Sequence, residues 1–71
     1  MEFSKRLQQL RERKRISRIV ASELCGLASD SIRKYERGES EPTLSSLIAM
    51  AEFFDVSVDF LLGRCDKENE D

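Results

Sequence analysis

The sequence predicts an all-α domain. Three observations carry this: apolar residues recur at intervals of three and four among charged ones, no stretch alternates apolar and polar residues long enough for a convincing strand, and all three glycines fall where a helical period breaks. Phe3, Leu7 and Leu10 give the period of an amphipathic first helix reaching to about Lys14. Ser17 then caps a second, short helix with Ala21 and Cys25 inward, and Gly26 ends it. After the connector Gly26, Leu27 and Ala28, the pair Ile32 and Tyr35 marks a third helix, stopped at Gly38.

Glu39 to Pro42 reads as loop, because proline disfavours helix in the residue before it. Thr43 caps a fourth helix with Leu44, Leu47, Ile48, Ala51 and Phe54 on one side. Ser57 caps a fifth that holds Val58, Leu61 and Leu62 and stops at Gly63. Residues 1–64 thus form one domain, and 65–71, rich in charge, form a solvated tail.

Seventy-one residues allow one small core and no second domain. The longest apolar run, Leu47 to Ala51, is far shorter than the roughly 20 residues of a membrane span, and nothing resembles a signal peptide. A soluble, cytoplasmic protein with no membrane partner is therefore expected. Two cysteines and no histidine make neither a disulfide framework nor a closed zinc shell, so no metal or cofactor is expected. Without histidine, and with no nucleophile beside an evident base, catalytic residues are not expected either. Cys25 reads as a small buried residue and Cys65 as an exposed one.

The net charge of −2 hides a division. Residues 1–37 hold ten Lys/Arg against five Asp/Glu, and residues 38–71 hold two against nine. This fits a basic face that meets a polyanion, with the acidic remainder turned elsewhere. It fits equally the solvated side of a helix, for Lys5, Arg6, Arg11, Arg13, Lys14, Arg15 and Arg18, and charge alone does not separate the two.

Two short helices joined by a glycine-led turn make a helix-turn-helix, whose second helix lies in the DNA major groove. With Ile32 and Tyr35 inward, Ser29, Asp30, Arg33, Lys34 and Arg37 are left on the outer side as neighbours three and four apart. Lys34 suits guanine O6 or N7, and Asp30 suits either cytosine N4 or the holding of a neighbouring cation in place. A carboxylate in a first helical turn is also favoured by the helix dipole whatever the partner. Arg33 and Arg37 suit phosphate better than bases, and Arg18 at the start of the second helix does too. Plain solvation is the alternative for all three.

The stretch Ile32-Arg33-Lys34-Tyr35-Glu36-Arg37-Gly38, then Pro42, then Phe54-Asp55-Val56-Ser57-Val58-Asp59-Phe60-Leu61-Leu62-Gly63, resembles the phage-repressor-like (Xre/Cro-like) helix-turn-helix domains over residues 3–63. The resemblance implies a compact five-helix lambda-repressor-like domain that binds operator DNA, commonly as a homodimer, and acts as a transcriptional regulator, most often a repressor. It implies that Arg18 contacts phosphate, that Ser29, Asp30 and Lys34 face base edges, and that Arg11 pairs with Glu36.

The sequence departs from the family pattern in three places, four positions in all. Arg18 stands where glutamine is usual. Ile19 and Val20 replace polar residues and, with Leu24, form an apolar strip, either partly buried against the first or fourth helix or open to a protein partner, as in an antitoxin-like module. Ala28 occupies the capping position of the recognition helix, so Ser29 caps instead or the helix start is weaker by about 1 kcal/mol.

Overall fold

The structure, a computed structural model, describes residues 2–68. Among them the chain forms five α-helices and no strand: α1 (Glu2–Lys14), α2 (Arg18–Leu24), α3 (Ser31–Glu36), α4 (Leu44–Phe54) and α5 (Val58–Leu61). No helix is long and apolar enough to cross a membrane.

Local chemistry sets the starts of three helices. Ser17, Thr43 and Ser57 lie in extended backbone, and their hydroxyls accept the N–H of Val20, Ser46 and Phe60. Each hydroxyl satisfies one of the donors that a helix start leaves free. The stops around the helix-turn-helix are glycine motifs. Gly26 and Gly38 take φ of 73° and 71°, a left-handed conformation open to glycine without steric cost. Leu27 N–H then returns to Ser22 O, and Glu39 N–H to Lys34 O. The ends of α1 and α4 are made instead by Arg15 and Asp55, with φ of 58° and 56°.

The core gathers Phe3, Leu7 and Leu10 of α1, Ala21 of α2, Ile32 and Tyr35 of α3, Met50, Ala51 and Phe54 of α4, then Val56 and Leu61. Leu7, Ile32, Met50 and Leu61 are fully enclosed, each stabilising the fold by about 1.5–3 kcal/mol relative to exposure. Ser4 Oγ donates to Tyr35 O at 2.6 Å and the Phe3 and Tyr35 rings lie 6.0 Å apart, so α1 holds α3 by both polar and apolar contacts.

Several sequence expectations need correction. Leu44, placed on the inner side of α4, is 73% exposed and Ile48 is also exposed, while Met50 takes the central position. Leu44 and Ile48, four apart, share a side of α4 that faces solvent, while Leu47, Ala51 and Phe54 meet the core. Ile19, Val20 and Leu24 are exposed, which removes the option of burial against α1 or α4. Neither Ala28 nor Ser29 caps the third helix: α3 starts at Ser31 with Asp30 at its N-cap, and the Asp30 side chain makes no capping bond. Cys65, expected to be exposed, is half-buried, as is Cys25, whose thiol pKa is pushed up by that burial.

The charged C-terminal stretch makes specific contacts as far as residue 68. Arg6 donates to Cys65 O and to Asp66, Arg13 pairs with Glu68, and Ser57 N–H donates to Glu68 O. The remaining residues assigned to the tail, 69–71, lie outside the described residues.

Candidate nucleic-acid interface

A helix of six residues is too short to hold its own shape, so the position of α3 is imposed by its neighbours. Ser22, fully buried on α2, is the pivot. Its hydroxyl donates to Arg18 O at 2.9 Å and accepts the N–H of Ile32 at 3.1 Å, so α2 caps α3 from across the turn. At the other end, Arg11 on α1 donates to Glu36 through Nε and Nη2, at 2.6 and 3.1 Å, and through Nη1 to Ile16 O at 2.9 Å. The Glu36 side chain is only 3% exposed. Its hydrogen bonds to Arg11 raise the arginine pKa further above an already basic value.

This scaffold opens a cleft of about 420 Å³ between the starts of α2 and α3, with Arg18, Ile19, Ser29, Asp30 and Arg33 among its lining residues. Four of the six residues assigned to DNA contact from the sequence, Arg18, Ser29, Asp30 and Arg33, therefore share one concave surface. Lys34 joins them through Asp30, its Nζ 3.2 Å from the Asp30 carboxylate, with Arg33 3.9 Å from the same group. The bond from Lys34, then its charge, hold the Asp30 carboxyl below the usual carboxylate range.

Arg37 stands apart, at the far end of α3, paired with Glu39 at 2.8 Å. Arg18 does not project freely: its Nε donates to Glu36 Oε1 at 3.1 Å while about half of its side chain stays exposed. Glu36 thus accepts from two arginines, one buried and one at the cleft.

The basic first helix does not form one continuous cationic face. Arg6 covers the Phe60 ring at 4.2 Å and reaches Asp66, Arg13 meets Glu68, Lys14 lies over Phe53 at 5.2 Å, and Arg11 serves Glu36. These contacts also occupy faces of Phe53 and Phe60. The cations around α3 are paired as well, Arg18 with Glu36, Arg33 and Lys34 with Asp30, and Arg37 with Glu39, but their side chains stay 44–63% exposed. No group of three or more metal-binding side chains comes together among the described residues.

Sequence reasoning missed Ser22 as the cap of α3. The available signal was a small polar residue on the inward face of α2, beside Ala21, where a hydroxyl must find a partner on the next element.

The helix-turn-helix family model matches residues 7–61, most of the chain. The chain belongs to the phage-repressor-like helix-turn-helix family. It is 36% identical over 64 residues to the helix-turn-helix-type transcriptional regulator YobD of Bacillus subtilis, which covers 90% of this chain and 57% of that one. With the cryptic phage CTXphi transcriptional repressor RstR of Vibrio cholerae it shares 31% identity, again over 90% and 57% of the two chains. Among solved structures, the P22 c2 repressor in complex with a synthetic operator superposes with a TM-score of 0.84 at 25% identity, covering 92% of this chain and 98% of that one. This helix-turn-helix chain spans about half the length, or less, of the first curated relatives it matches.

Proposed function

We propose that this chain is a non-enzymatic, sequence-specific double-stranded DNA-binding regulator of transcription, acting in the cytoplasm as a repressor. The observation that carries the reading is the convergence of Arg18, Ser29, Asp30 and Arg33 on one cleft, with Lys34 bound to Asp30 beside it. In this reading α3 enters the major groove. Arg18 and Arg33 hold phosphates, with Arg37 reaching the backbone from the far end of α3, and Ser29, Asp30 and Lys34 face base edges. The similarity to RstR and to the P22 c2 repressor bound to its operator supports it.

Two copies related by a two-fold axis would place their third helices in major grooves about 34 Å apart on a palindromic operator. Lys34 starts from its bond to Asp30, so reaching a guanine exchanges one charge-assisted bond for another. Specificity then depends on what Asp30 meets once Lys34 leaves it.

Selection of bound duplexes from a random pool at physiological salt tests the proposal. An enriched motif with two inverted half-sites supports it, and a Lys34→Ala variant should lose preference at one base pair per half-site. Recovery of no motif, or affinity independent of salt, contradicts it.

A second reading, an antitoxin-like module that binds DNA together with a partner protein, draws on the exposed Val20 and Leu24 of α2. A small stoichiometric protein that co-purifies with the chain would favour it.

A further inference from the structure

Ile19 differs from the other exposed apolar residues of α2 in what surrounds it. At about 100° per residue, Val20 and Leu24 lie about 40° apart, whereas Ile19 is rotated by about 100° from Val20 and about 140° from Leu24. The strip seen in the sequence is therefore two features. Ser22, one turn beyond Ile19, is the residue that touches the start of α3, so Ile19 stands on the α3 side of its helix and Val20 and Leu24 on the far side. The cleft confirms this: Ile19 lines it with Ser29, Asp30 and Arg33, and Val20 and Leu24 do not.

Single exposed aliphatic residues are ordinary on a protein surface, but Ile19, 58% exposed, is set inside a cleft among charged and hydroxyl groups, where a ligand that covers it gains its burial. The ligand must be anionic where it meets Arg18 and Arg33 and apolar where it meets Ile19. Duplex DNA offers this combination in the major groove, where the only apolar feature on a base edge is the 5-methyl group of thymine. We propose that Ile19 is a specificity-determining residue, packing on a thymine methyl at the edge of the sequence read by α3. The inference rests on the DNA-binding reading of the same cleft and adds to it a preference that hydrogen-bonding residues cannot supply. Replacing thymine with uracil removes the methyl and leaves every hydrogen-bonding group in place.

The test uses a duplex selected from the random pool, with each thymine replaced singly by deoxyuridine, titrated by fluorescence anisotropy with the unaltered chain and with Ile19→Ala. At one thymine per half-site, loss of the methyl should weaken the unaltered chain about fourfold, the effect of exposing one methyl-sized group. The Ile19→Ala variant should bind the thymine and uracil forms of that position equally, with an unchanged salt slope and unchanged melting of the protein. Absence of any uracil-sensitive position, or an equal penalty in the variant, overturns the role of Ile19 while leaving DNA binding intact. A chain that enriches no duplex overturns the DNA reading of the cleft, and this inference with it.

Discussion

Arg11 grips Glu36 with two N–H groups across 25 residues of sequence, at 2.6 and 3.1 Å, and the carboxylate it holds is almost wholly enclosed. The pair ties the last turn of α1 to the end of α3, which makes it a structural anchor of that helix. Arg11→Met strands the Glu36 charge with only Arg18 beside it and should cost about 3–5 kcal/mol in urea denaturation. The double change Arg11→Met, Glu36→Leu removes both charges and should be less damaging than Arg11→Met alone. A double variant as unstable as the sum of the single ones would show that the two residues do not act as a pair.

Ser22 joins α2 to α3 through one hydroxyl. Ser22→Ala keeps the volume almost unchanged and leaves the Ile32 N–H buried without a partner, for an expected loss of about 1–2 kcal/mol. Ser29→Ala, which removes no capping bond, should stay within about 0.5 kcal/mol of the parent. Equal stabilities for the two variants, measured side by side by thermal melting, would remove Ser22 from its assigned role.

The bond from Lys34 sets the titration of Asp30. Its folded pKa lies below the ordinary carboxylate value of about 3.9, so the pair contributes stability above that pH and loses it as pH falls through the folded value. Carboxyl carbon NMR should place the Asp30 midpoint below that of an unfolded aspartate, and Lys34→Ala should move it upward. Because both groups are exposed, salt should weaken the effect. A midpoint indifferent to Lys34→Ala would mean that the two groups do not meet in solution.

Helix α4 shows where periodicity stops being informative. Leu44→Ser should change stability by less than about 0.5 kcal/mol, since the residue already faces water, whereas Met50→Ala should cost about 2–5 kcal/mol. A large loss at Leu44 would restore the register that the sequence suggested.

These residues mark the boundary of what a sequence reveals here. Caps and stops are local, so Ser17, Thr43, Ser57, Gly26 and Gly38 could be read directly from residue type and spacing. The outer face of α3 followed from Ile32 and Tyr35 pointing inward. What could not be read depends on elements distant in the chain. Arg6, Arg13 and Lys14 of α1 meet Phe60, Asp66, Glu68 and Phe53, and no local pattern announces that the C-terminal stretch returns to them. The inward place of Ser22 beside Ala21 signalled that its hydroxyl needs a partner, but which partner could not be read for the same reason: it caps a helix other than its own. The helical period separates Ile19 from Val20 and Leu24, but that Ile19 is the one beside α3 needed the packed fold.

The central claim is that the cleft between α2 and α3, with the outer side of α3, is the surface that meets DNA. Mapping backbone amide shifts on addition of a selected duplex tests it most directly. The largest changes should fall on Arg18, Ile19 and the segment from Ser29 to Arg37, with α5 and residues 64–68 nearly unmoved. Changes centred on α5 and the acidic C-terminal residues, with α3 silent, would contradict it.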